Sequence, residues 1–213
     1  MIYIVIPSFN ENFFVTNIIN LLYGQTYTDF QIIVSDNGSS DGTREIIEKK
    51  YPKVVLICND SSFWWTKSTN EGVKYALKHS ESDKDYILTL NCDTTVKNNY
   101  LENLFILAKQ NSNSIIGSVN VNIDNNVIIL GGFLIVSKIT AKYHYVNRNR
   151  PYDNNLQNSE TDFLSGRGTL IPIKVFREIG CYDEMLPHYS ADYEFSYRAK
   201  KNNTNLIVDY NSP

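Results

Sequence analysis

The sequence predicts an α/β fold, a Rossmann-like, mainly parallel sheet flanked by helices, with a mixed second half. Two observations carry that prediction. Short apolar, β-branched runs alternate with helical patterns through the first half of the chain, and polar residues gather just beyond those runs. Strands that read as unbroken apolar stretches are those buried on both faces, and a strand, helix, strand repeat implies right-handed crossovers between parallel neighbours.

Taken in order, residues 2–6, 30–35, 53–58 and 85–91 are the apolar runs and are predicted as strands. Between them, residues 11–23 place Phe14, Ile18, Leu21 and Leu22 at helical spacing. Asp41 opens a second helix over "DGTREIIEKK", and residues 68–79 put Val73, Ala76 and Leu77 on one face. After about residue 110 the pattern changes. Runs at 114–122, 127–136 and 168–173 are separated by loops rich in Asn, Tyr and Arg, which predicts a mixed half built onto the first half's sheet. Residues 142–159 read as a mobile loop, because loops of that length in compact domains are usually functional or disordered. Helices at 174–180 and 190–201 and a last strand at 205–209 complete the chain.

A chain of 213 residues with 42% hydrophobic residues buries a substantial core. The net charge of -3, with no basic cluster longer than Lys200-Lys201, leaves no footprint for a phosphate backbone, so no nucleic-acid partner is expected. Cys58, Cys92 and Cys181 are widely spaced and lack the close pairs of zinc sites. They read as reduced thiols of a cytoplasmic protein. The opening "MIYIVIPSFNE" is too short an apolar run for a signal-peptide core or a membrane span, and is taken as a strand.

In open parallel sheets, ligands bind beyond the carboxyl ends of the strands. Those positions hold Pro7, Ser8, Phe9, Asn10 and Glu11 after the first strand, Asp36 to Gly42 after the second, and Asn91, Cys92 and Asp93 after the fourth. Each has a plain structural explanation taken singly: Asp36-Asn37-Gly38 is a good turn, Asp41 a good helix cap, and an acid at a strand end is often just solvated.

Together with later stretches they resemble the family 2 glycosyltransferases of the GT-A fold. The resemblance is carried by "IPSFNE" (6–11), "IIVSDNGSSDGT" (32–43), "NDSSFWWTKSTNEGVKYA" (59–76), "YILTLNCDTTV" (86–96), "FLSGRGTLIPIKVFREIGCYDE" (163–184) and "YSADYEFSYRAKK" (189–201). These occur in the family's order and cover nearly the whole chain. The resemblance implies one GT-A domain, with residues 1–110 as the nucleotide-sugar-binding half and residues 111–213 as the acceptor and catalytic-base half. It further implies an inverting enzyme that moves a sugar from a UDP- or dTDP-sugar donor to a glycan or lipid-linked acceptor with the help of Mg2+ or Mn2+.

Residue by residue, the resemblance assigns the nucleotide to Pro7, Ser8, Phe9, Glu11, Asp36, Lys67, Asn70 and Asn91. Phe9 would stack on the base and Asp36 would accept its imide N–H, chemistry that suits uracil or thymine. Asp93 would hold the metal as the last acid of an Asp-x-Asp element whose first position is here Asn91. Trp65, Asp162, Gly166 and Arg167 are implied to meet the sugar, Trp65 as one of a Trp64-Trp65 pair in the loop after the third strand. Lys67 would replace the charge of a family arginine, since Thr69 precedes Asn70. Asp192 is implied as the catalytic base at the start of a helix, with Glu194 in reserve because Ala191 stands where many relatives have a second acid. The chain ends at "NLIVDYNSP", where many relatives continue, so a truncated or minimal member is expected, with peripheral association at the inner face of the membrane supplied by the missing segment.

Two other functions compete. A nucleotide-sugar pyrophosphorylase would carry a Gly-rich phosphate loop after the first strand, and "PSFNEN" has no glycine. A non-catalytic sugar-nucleotide-binding module would explain Asn91 and Ala191 in place of acids, against which Asp93 and Asp192 are retained.

Overall fold

β1 (Ile2–Ser8) is buried along its whole length, and its residues part by parity. Ile2, Ile4 and Ile6 enter one core while Tyr3 and Val5 enter the other, as a period-two strand between two layers must. β2 (Phe30–Asp36) and β4 (Tyr86–Thr89) repeat the division: Ile32, Val34 and Leu88 join the first core, Ile33 and Ile87 the second. The structure is a computed structural model and describes residues 1–137, 139–140 and 142–213.

The first core is closed by α1 (Asn12–Tyr23), α2 (Thr43–Lys50) and α4 (Tyr100–Gln110), chiefly through Ile18, Leu22, Ile47, Leu101 and Leu104. The second is closed by α3 (Trp65–His79), α5 (Ile173–Ile179) and α6 (Ala191–Lys201), through Val73, Ala76, Phe176, Phe195 and Ala199. α3 lies so close to β1 that a Cβ on Gly72 would overlap Val5 Cγ1. Glycine is what permits that approach.

β1 pairs in parallel with β2 on one side and β4 on the other, and β3 (Val55–Cys58) lies outside β2. The chain therefore runs outward from β1 to β3 and returns through α3 to β4. The strand order reverses between β1 and β4, and the crevice beyond their carboxyl ends is where such sheets bind ligands. The second half extends the same sheet. β11 (Thr169–Pro172) lies antiparallel between β4 and β5 (Ser114–Ser118), β12 (Asn205–Asp209) is parallel to β5, and β10 (Ser159–Glu160) closes the edge, giving eight strands in the order β10-β12-β5-β11-β4-β1-β2-β3. Two hairpins stand apart from it: β6 (Asn120–Asn122) with β7 (Val127–Leu130), and β8 (Phe133–Ser137) with β9 (Lys142–Tyr145).

The sheet is mostly parallel and flanked by helices, as the sequence predicts, but several details differ. α4 was not among the predicted elements. The run 127–136 divides at Gly131 and Gly132, where side chains would meet the Tyr210 hydroxyl, Thr161 and Val208. The stretch 142–159 is not wholly a loop, since it holds β9 and the start of β10. Trp65 is the first residue of α3 rather than part of the preceding loop. No helix among the described residues is long and apolar enough to cross a membrane.

Candidate active site

Beyond the carboxyl ends of β1 and β4 lies an open cavity of about 440 Å³. Pro7, Ser8, Phe9 and Glu11 form one wall, Asn91, Cys92 and Asp93 a second, and Phe63, Trp64 and Trp65 at the start of α3 a third. Phe9 presents its ring to the opening and is 49% exposed. The Ser8 hydroxyl is buried and has no hydrogen-bond partner among the described residues. An unpaired buried hydroxyl costs stability unless something else meets it, and this one borders the cavity. Glu11 accepts a hydrogen bond from the Cys92 thiol at 2.8 Å, and burial pushes that thiol well above the usual cysteine range. Cys92 therefore orients Glu11 and is no nucleophile.

Asp93 borders this cavity and also a second one of about 450 Å³, so it sits on the seam between them. Arg167 lines the second cavity only. Asn91 does not offer its amide oxygen to the open space. That oxygen accepts the Trp65 indole N–H at 3.1 Å, which ties the end of β4 to the start of α3.

The same indole leads to Asp192. A Cβ on Gly166 would stand 2.6 Å from the Trp65 ring, so only glycine lets the loop pass there. The Gly166 N–H then donates to Asp192 Oδ2 at 2.7 Å, in the first turn of α6. Burial pushes the Asp192 carboxyl above its ordinary value, while hydrogen bonds from Gly166 and Tyr193 and the charge of Arg167 pull the other way. Glu194 is held differently, by a two-point ion pair with Arg198 at 2.7 and 3.0 Å.

Several predicted site residues lie away from the cavity. Asp36 is fully buried behind its wall, where it accepts Arg44 Nε at 2.5 Å and both the amide and the hydroxyl of Ser39. Its neighbour Asn37 reaches the cavity instead. Asn70 is buried and fully engaged, bridging α3 to Tyr182 and Glu184. Asp162 pairs with Lys200 at 2.7 Å and accepts the Ile135 N–H at 2.6 Å. Lys67 is exposed and does not line the cavity, though its ammonium lies 3.7 Å from the ring centroid of Phe63, which does. One cavity residue escaped sequence reasoning altogether. His188 faces the cavity with its ring 5.3 Å from that of Trp64, and its place just before "YSAD" was the available signal.

A model described as Glycosyl transferase family 2 matches residues 3–180, which takes in the strand-end residues and Gly166 but stops before α6. The chain is 29% identical over 142 residues to UDP-Glc:alpha-D-GlcNAc-diphosphoundecaprenol beta-1,3-glucosyltransferase WfgD of Escherichia coli, covering 66% of this chain and 53% of that protein. It is 25% identical over 209 residues to succinoglycan biosynthesis protein ExoA of Rhizobium meliloti (strain 1021), covering 93% of this chain and 57% of that protein. The chain thus spans little more than half the length of these relatives. The crystal structure of GalNAc-T7 with UDP, GalNAc and Mn2+ aligns with a TM-score of 0.75 over 100% of this chain and 43% of that one, at 15% identity, a likeness of fold.

Proposed function

The chain belongs to glycosyl transferase family 2 and has the GT-A fold, and from that premise we propose that it is a cytoplasmic inverting hexosyltransferase. It moves a sugar from a UDP- or dTDP-sugar to a hydroxyl of a glycan or lipid-linked acceptor. The observation that carries this proposal is the meeting of Trp65, Gly166 and Asp192: Trp65 walls the strand-end cavity, Gly166 packs against its ring, and the half-buried Asp192 carboxylate lies directly behind Gly166.

In this proposal the nucleotide base stacks on Phe9, and the unpaired Ser8 hydroxyl gains its missing partner from the nucleotide. The residues fit a divalent ion. Asp93 and Glu11 are hard oxygen ligands on one cavity, and among the described residues no group of three His, Cys, Asp or Glu is arranged to hold an ion by itself. Mg2+ or Mn2+ would accordingly be held by one or two carboxylates together with diphosphate oxygens. When bound, the ion neutralises charge on the departing diphosphate.

Asp192 takes the proton from the acceptor hydroxyl as that oxygen bonds to the anomeric carbon and the bond from carbon to diphosphate breaks on the opposite face. A carboxyl raised by burial is a stronger base than an exposed one, and the Gly166 N–H holds it in one orientation. Trp65, locked by Asn91, excludes water from the sugar side. Titration calorimetry of UDP with and without Mn2+ tests the donor half. Mn2+ is expected to strengthen UDP binding in the wild type and to do so much less in Asp93→Ala. Equal wild-type affinity in Mn2+ and in EDTA would contradict it.

A further inference from the structure

The β8–β9 hairpin has two unlike faces. Phe133, Ile135 and Tyr143 point inward and line an aromatic cleft of about 470 Å³ with Phe163, Tyr193 and Tyr197. Leu134 and Val136 point outward and Ile139 lies at the turn, with exposures of 42%, 60% and 98%. An isolated two-stranded ribbon is marginal in water, and exposing three branched aliphatic side chains on one marks it as a contact surface.

Charge identifies the partner. Residues 125–152 contain Lys138, Lys142, Arg148 and Arg150 and no Asp or Glu, within a chain whose net charge is -3. Lys142, Arg148 and Arg150 make no ion pair among the described residues. Arg148 instead stacks over Tyr145 at 4.3 Å from the ring centroid, and Tyr143 is 49% exposed. Aliphatic side chains with Lys142 at the tip, tyrosines behind them, and Arg148 and Arg150 beyond the far end of β9 match an anionic bilayer surface, with apolar groups for the acyl boundary and cations for the phosphates. Nucleic acid would use the cations and leave the aliphatic tip in water.

We propose that the β8–β9 hairpin docks this protein on an anionic lipid surface. The proposal stands independently of the donor chemistry. The cleft behind the hairpin is shared with Ser190 and Tyr193, which flank Asp192 in the chain, so the proposed docking surface lies on the Asp192 side of the molecule.

Flotation of the full chain with two kinds of vesicle tests it: phosphatidylglycerol mixed with phosphatidylcholine, and phosphatidylcholine alone. The wild type is expected to float with the first and to stay behind with the second. Val136→Ser with Ile139→Ser should abolish flotation. Arg148→Gln with Arg150→Gln should weaken it by about 25-fold, at about fivefold for each basic residue lost. Lys49→Gln with Lys50→Gln, on the exposed end of α2, should float as the wild type does. Circular dichroism checks that each variant is folded, and the arginine pair keeps the test open if the apolar pair is not. No flotation of the wild type, equal flotation with both vesicles, or wild-type flotation of both folded hairpin variants would overturn the proposal. In the first case the surface would be left to a protein partner.

Discussion

Burial of the Asp192 carboxyl has a consequence for stability as well as chemistry. Its folded-state value is raised, so its ionised form is less welcome in the folded protein than in the unfolded chain. Below the ordinary aspartate range both states are protonated and the penalty is absent. As pH rises from there through the raised folded value, stability is lost. Asp192→Asn is therefore expected to unfold at a higher temperature than the wild type at neutral pH, with the gap closing as pH falls below the ordinary range. Thermal melts across pH check this, and a variant less stable than the wild type at neutral pH would contradict it. Asp36 makes the opposite prediction. Its carboxylate is fully buried against Arg44, whose side chain is only 29% exposed. Removing it in Asp36→Ala is expected to cost about 3 kcal/mol, the lower end for breaking a buried pair, measured by urea unfolding. A change within about 0.5 kcal/mol would show that Arg44 finds other partners. Nucleotide affinity at this position is better read in Asp36→Asn, which keeps an acceptor for Ser39. The strand-end residues Ser8, Phe9, Glu11 and Asp93 were legible in the sequence because an open parallel sheet leaves them one place to go. The engagement of Asp36 by Arg44, of Asn70 by Tyr182 and of Asp162 by Lys200 was not, because each partner comes from a separate element whose packing decides the meeting.

At the scale of elements, the strands were easiest to read, since burial on both faces demands unbroken apolar runs. α4 was missed although Tyr100, Leu101, Leu104 and Ala108 have helical spacing and are the residues it buries. The sequence hides the start of α3 because two tryptophans and a threonine give no capping signal; Trp64 provides no side-chain cap. The hairpins escaped because Gly131 and Gly132 interrupt an apolar run for a reason that lies elsewhere in the chain, the close approach of Tyr210 and Thr161. Gly72 offers a direct test of how α3 is seated. In an exposed helix, glycine to alanine would stabilise by about 1 kcal/mol. Here the added methyl would overlap Val5, so Gly72→Ala is expected to destabilise by about 1–3 kcal/mol. Val5→Ala in the same chain should recover part of the loss. A Gly72→Ala protein more stable than the wild type would mean that α3 lies farther from β1.

The two halves of the chain share one eight-stranded sheet and meet at β4 and β11, and the proposed site lies near that junction. The ends of β1 and β4 and Trp65 of α3 line the cavity, and the loop before β11 and the start of α6 place Gly166 and Asp192 behind Trp65. In the proposed function the first half binds the donor and the second half supplies the base, a division that would separate affinity from turnover. The most direct measurement is transfer from a UDP- or dTDP-sugar donor by Asp192→Asn, taken together with the variant's donor dissociation constant. Loss of general-base catalysis is expected to lower turnover by about 10²–10⁴-fold while the donor dissociation constant stays within about twofold of the wild type. Wild-type turnover in Asp192→Asn would contradict the assignment of the base, and turnover retained when Glu194→Gln is added would remove α6 from the chemistry.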